Sequence, residues 1–122
     1  MESEDKPRDL NDRLEEFALR VIRMYVSLPK RDAVAQTLGR QVLRSGTSPG
    51  ANYREAQRSR SKAEFISKAG DCLKELDETD YWLGLLVRSG VVPEPRMRPL
   101  LVETNELISI FVAVINKAKG NT

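Results

Sequence analysis

The side chains able to do chemistry in this 122-residue chain form a narrow set: no histidine, one cysteine, and charged residues making up 31% of the sequence. Without histidine, the commonest general base and the commonest metal ligand are both missing. A histidine-dependent triad is impossible, and a zinc site would have to be built from Cys72 and carboxylates, a poor set. Neither GxGxxG nor GxxxxGK[ST] occurs, so neither phosphate-cradling loop is present. No catalytic residue, cofactor or metal site is therefore expected, and the chain reads as a non-enzyme. Cys72 falls on an apolar helical face, where a thiol behaves as a small hydrophobe.

What the charges offer instead is sorting. From 40 to 62 the bases are Arg40, Arg44, Arg54, Arg58, Arg60 and Lys62, against the single acid Glu55. From 75 to 80 the acids Glu75, Asp77, Glu78 and Asp80 stand without a base. If a helical hairpin turns near residue 60, antiparallel partners sit at positions summing to about 120. That sets Arg44 level with Glu75, and Arg40 level with Glu78 and Asp80. Arg40, Arg44, Glu75 and Glu78 are therefore candidate ion pairs that fix register. Arg54, Arg58, Arg60 and Lys62 have only Glu64 near their level and form a basic cap at one end. The cap is either a solvated helical turn or a contact surface for a phosphate backbone. A net charge of +2 is modest for the second role, and 6% aromatic residues leave little for base stacking.

The elements that would position these residues are helices. Apolar residues recur at three- and four-residue steps throughout, with no sustained alternation of period two. Helix one is predicted over about 9 to 28 from Leu10, Leu14, Phe17, Val21, Tyr25 and Leu28, and Pro29 stops it. Helix two runs from about 32 to 57, with Asp32 as N-cap and an inner stripe of Ala35, Leu38, Val42, Ser45, Pro49, Asn52 and Ala56. Pro49 leaves the Ser45 carbonyl without a donor and should kink the axis. The hydroxyls of Ser45, Thr47 and Ser48 are expected to bond the freed backbone groups. Helix three opens with the capping box Ser61–Glu64 and runs to about 88, burying Phe65, Ala69, Cys72, Leu76, Leu83 and Leu86. Gly90 ends it. Helix four is predicted from near 96, with Pro99 in its first turn, to Lys117 and Lys119.

Four such helices with short connections give an all-α, antiparallel up-down-up-down bundle over residues 9–119, with 1–8 expected to fray. No uninterrupted apolar stretch approaches the roughly 20 residues that span a bilayer, and the acidic start resembles no signal peptide. A cytoplasmic protein without a membrane role or small-molecule substrate is expected, its lone cysteine suiting a reducing compartment.

Helix four carries more apolar surface than one stripe. Leu100, Leu107, Phe111 and Val114 make one row, and Leu101, Ile108, Val112 and Ile115 a second. Either both rows fit a wide core, or the second joins Ile22 and Val26 of helix one in a homo-oligomer interface. Gly39, Gly46 and Gly50 form a small-residue stripe that permits close helix packing. Asn52 and Glu55 suggest a buried polar network, and Tyr81 and Trp82 suggest core or interface packing beside helix four.

The run from Arg40 to Ala56, RQVLRSGTSPGANYREA, resembles the signature of a bacterial four-helix-bundle family first noticed as products of intervening sequences within large-subunit ribosomal RNA genes. Glu64–Lys68 and Lys74–Leu83 resemble its second block, and Glu103, Glu106 and Leu107 its looser third, so the likeness covers about residues 12 to 118. It implies a bundle that assembles into a ring, a pentamer by analogy, with no enzymatic activity. A looser resemblance links the chain to accessory variability proteins of diversity-generating retroelements, whose basic pentamers bind a reverse transcriptase and nucleic acid. The leading expectation is a non-catalytic oligomeric adaptor for RNA, DNA or a nucleic-acid-handling protein. The alternative is an oligomeric scaffold that binds only protein.

Overall fold

The computed structural model describes residues 9–120, so the expected fraying of 1–8 lies outside the described residues. Four helices follow one another: α1 (Leu10–Val26), α2 (Ala33–Gln57), α3 (Lys62–Arg88) and α4 (Glu94–Ala118), with no strand among the described residues. Each packs antiparallel on its predecessor, and α4 closes the four-helix bundle against α1, the two sharing the fewest contacts of any neighbouring pair.

Local chemistry sets most boundaries. The Asp32 carboxylate accepts the Ala35 N–H at 3.0 Å and starts α2. Ser61 accepts the Glu64 N–H at 3.0 Å and starts α3, while the Glu64 carboxylate reaches back to the Arg60 N–H at 3.3 Å, one residue beyond the usual capping box. α3 ends in a Schellman motif: Gly90 takes φ +84°, its N–H bonds the Val87 carbonyl at 3.0 Å, and the Val91 N–H bonds the Leu86 carbonyl at 3.1 Å.

Helix α2 continues through Pro49. Thr47 and Ser48 donate to the Leu43 and Arg44 carbonyls, both at 2.7 Å, rather than to the carbonyl that Pro49 frees. Ser45 turns across to α3 instead, its hydroxyl 2.8 Å from that of Thr79, which also donates to the Glu75 carbonyl at 2.8 Å. Helix α4 begins at Glu94, two residues earlier than predicted, which puts Pro99 inside it. Pro95 and Pro99 are both exposed, so water can reach the backbone carbonyl that Pro99 leaves without a donor.

The core holds Leu14, Phe17 and Val21 from α1, Val42 from α2, Leu76, Leu83 and Leu86 from α3, and Leu107 and Phe111 from α4, all at most 1% exposed. Each contributes about 1.5–3 kcal/mol by leaving water. Tyr53 of α2 meets the edge of Phe111 across the core, ring centres 5.6 Å apart. An 18-residue stretch within α4 reaches a mean hydropathy of 1.4, long and apolar enough by length and composition alone to cross a membrane. Here its apolar residues Met97, Leu100, Leu107 and Phe111 are buried in the bundle.

Candidate nucleic-acid interface

The basic cap sits where α2 turns into α3. The turn is tight: Arg58 N–H bonds the Glu55 carbonyl at 3.0 Å and Ser59 N–H bonds that of Ala56 at 3.1 Å. Arg54 lies in the last turn of α2, where its charge opposes the negative end of the helix dipole. The side chains of Arg54, Arg58, Arg60 and Lys62 are all exposed. None makes an ion pair or side-chain hydrogen bond among the described residues, whereas Arg13, Arg23, Arg44, Lys68 and Arg98 are all paired.

The two acids of the turn itself are engaged elsewhere, while exposed Glu15 of α1 lines the same groove as Arg54. The Glu64 carboxylate holds the Arg60 backbone, and Glu55 pairs with Lys68 at 3.4 Å. That corrects the expected buried network at Asn52 and Glu55: Asn52 is half-buried, and Glu55 is an exposed ion-pair partner. The buried polar pair is Ser45–Thr79, two turns before Asn52 on α2. Two further buried oxygens at the cap end, Asn11 Oδ1 and Ser59 Oγ, have no hydrogen-bond partner among the described residues.

The register ion pairs form on one arginine. Arg44 bonds Glu75 at 3.0 Å and also Glu78. The Trp82 indole N–H, at 3.2 Å, and then Arg44 hold the Glu78 carboxyl below its usual range against some burial. Arg40 is exposed and makes no pair with Glu78 or Asp80. Glu78 is already occupied by Arg44, and Asp80 accepts from Asn105 of α4 at 2.9 Å. Tyr81 is 55% exposed, so it is not core, and it meets half-buried Trp82 edge-on at 5.1 Å.

The proposed apolar interface does not form one patch. Asn105 bonding Asp80 places α3 on the Leu101 side of α4, and Arg13 bonding Glu103 places α1 on the other. Leu101, Ile108 and Ile115 are half-buried against the core, leaving Val112 at 43% exposure. On α1 the glycines of α2 meet Leu14, Val21 and Tyr25, and the roughly 100° step per residue carries Ile22 and Val26 beyond that contact to the outer edge. Ile22, Val26 and Leu19 are 39%, 63% and 42% exposed. The two sets therefore occupy different flanks.

Two arrangements were not legible in the sequence. Arg13 makes a bidentate bond to Glu103, Nε at 2.7 Å and Nη2 at 2.8 Å, and reaches Glu106 at 2.5 Å. Ninety residues separate Arg13 from Glu103, and no local signal joins them. A second unpaired basic set, including Arg20, Lys30, Arg31, Arg88 and Arg96, lies at the end opposite the cap, scattered over α1, α3 and α4 and their loops. Cys72 is fully buried, its thiol donating to the Pro49 carbonyl at 3.5 Å. No cluster of three potential metal ligands occurs among the described residues.

The chain matches a family model described as 23S rRNA-intervening sequence protein over residues 9–113. A solved structure from Bacteroides thetaiotaomicron, described as a protein of unknown function from the S23 ribosomal protein family, superposes with a TM-score of 0.79 at 35% sequence identity. The likeness covers 88% of this chain and 98% of that one. No curated protein matches the sequence.

Proposed function

The chain belongs to the 23S rRNA-intervening sequence protein family, and from that premise we propose that it is a non-catalytic oligomeric adaptor whose basic cap binds the phosphate backbone of nucleic acid. The observation that carries this reading is that Arg54, Arg58, Arg60 and Lys62 are exposed and make no ion pair or side-chain hydrogen bond among the described residues, while Glu64 and Glu55 at the same turn are engaged with the Arg60 backbone and Lys68. Phosphate contacts need mobile, solvated cations rather than a shaped pocket, and they carry no base specificity.

Self-association would multiply the cap. Exposed apolar residues on two different flanks cannot meet as one self-complementary patch. A contact from the Ile22–Val26 flank to the Val112 flank is heterologous, and heterologous contacts close into a ring when the rotation between subunits closes. A ring, a pentamer by family resemblance, would present one cap per subunit in the cytoplasm. The apolar flank of Leu19, Ile22 and Val26 also suits a protein partner such as a nucleic-acid-handling enzyme.

Filter binding of labelled single-stranded RNA tests the cap. Four neutralised phosphates per protomer give a slope of about −3 in log K against log salt. Arg54→Glu, Arg58→Glu and Arg60→Glu together should abolish retention at low salt while the protein stays folded, with a small fall in the thermal melt from the reversed charge at the C-terminal end of α2. Retention equal to that of the parent protein rejects the nucleic-acid reading and leaves the protein scaffold. A monomeric mass in light scattering at micromolar concentration rejects the oligomer.

A further inference from the structure

At the end of the bundle away from the basic cap, α1 and α4 part to leave an open cleft of about 440 Å³. Its cause is visible in the packing. The two helices make the fewest contacts of any adjacent pair, and the Arg13 clamp on Glu103 and Glu106 ties them together below the cleft. Above the clamp, Val92, Met97 and Leu100 form an apolar floor, at most 6% exposed, joined by half-buried Met24. Arg20, Arg23 and Arg96 stand around it. Arg23 is taken by Glu16 at 3.2 Å, but Arg20 and Arg96 have no ion pair or side-chain hydrogen bond among the described residues.

We propose that this cleft is a binding site for a small amphipathic anion, a carboxylate or phosphate head on an aliphatic body. The volume falls in the range of small-molecule sites, about 300–1,000 Å³, and the lining sets an apolar floor within a polar rim of Glu16, Arg20, Arg23, Ser27 and Arg96. The rim carries three guanidiniums against the one carboxylate of Glu16, which Arg23 already engages, so the two unspent ones favour an oxyanion over a cation. The floor is aliphatic and thioether, and no aromatic side chain lines it, so a nucleobase would find nothing to stack on. Methionine adapts its shape to an aliphatic guest. The site is separate from the basic cap and does not depend on nucleic-acid binding.

Methyl-labelled methionine and valine resonances report on it directly, with decanoate and decyl phosphate as probes below their micellar range and decanol as the neutral counterpart. The expected result is a saturable shift of Met24 and Met97 with one or both anions, and none of Val102 on the outer face of α4. Decanol should bind at least about tenfold more weakly, the difference that charge-assisted bonds to the head provide. Arg20→Ala with Arg96→Ala should bring the anions to the decanol level with an unchanged melt. No saturable shift, equal binding of decanol, shifts spread to Val102, or full anion binding by the double variant would each overturn the proposal.

Discussion

Replacing Gly46 with alanine should weaken the contact between α1 and α2 although alanine is the better helix former. A Cβ built on Gly46 lies 2.7 Å from Val21 Cγ2 and 3.0 Å from Val21 Cγ1. Carbon atoms rest about 3.5–4.0 Å apart, so one side must yield by more than half an ångström. Val21 is fully buried, and a β-branched residue in a helix has one strongly preferred χ1 rotamer, so its methyls cannot swing aside and α1 must shift. Overpacking of this kind costs about 1–3 kcal/mol. Alanine returns about 0.5–1 kcal/mol of backbone entropy, leaving a net loss of about 1 kcal/mol at mid-range and up to about 2.5 kcal/mol. Gly70, within α3, has nothing within 4 Å of its built Cβ, so Gly70→Ala retains only the favourable part and should stabilise by up to about 1 kcal/mol. Urea titrations of the two variants and the parent, compared at constant m, read the difference. Val21→Ala removes both methyls that the new Cβ meets, so the Val21→Ala/Gly46→Ala pair should lose less than the sum of its members. A Gly46→Ala protein as stable as the parent, or a strictly additive pair, would refute the packing argument.

Two further outcomes follow from buried groups. Burial, with a smaller contribution from Asp71, pushes the Cys72 thiol from 9.0 up to about 12. Between those values the folded chain keeps a proton that the unfolded chain has lost, so stability falls as pH rises through that window. Urea melts from about pH 8 to 11 should show this component in the parent and lose it in Cys72→Ala, and a slope unchanged by the substitution would contradict it. Arg13→Ala should destabilise by about 1–2 kcal/mol, below the full worth of a charged hydrogen bond because water still reaches the pair. Arg13 and Glu103 keep 21% and 14% side-chain exposure. A double-mutant cycle with Glu103→Gln measures the coupling, and additive losses would show that the clamp contributes nothing.

Much of this molecule is local chemistry and therefore legible in order along the chain. Asp32, Ser61 and Gly90 each act on backbone groups within a few residues, and the apolar steps from Leu14 to Val21 and from Ala69 to Leu86 mark faces that one helix alone defines. The sequence puts the start of α4 two residues too late because a proline inside a helix is unfavourable locally, yet solvent exposure at Pro99 lets water satisfy the freed carbonyl. Arg44 was set level with Glu75 by symmetry about the turn. That Arg44 takes Glu78 as well, leaving Arg40 out, depends on the rotation of each helix about its axis.

The sequence by itself determined the number of helices, most of their ends, their inward faces and the presence of uncompensated charge at the α2–α3 turn. Periodicity and capping are properties of consecutive residues. Only the tertiary structure decided which exposed residues share a flank, because the roughly 100° step turns small differences in position into different directions once neighbours are fixed. It separated Ile22 and Val26 from Val112, joined Arg13 to Glu103 across ninety residues, and opened the cleft between Arg20 and Arg96. Those relations rest on contacts between helices, above all the first and the last, whose meeting no local signal records.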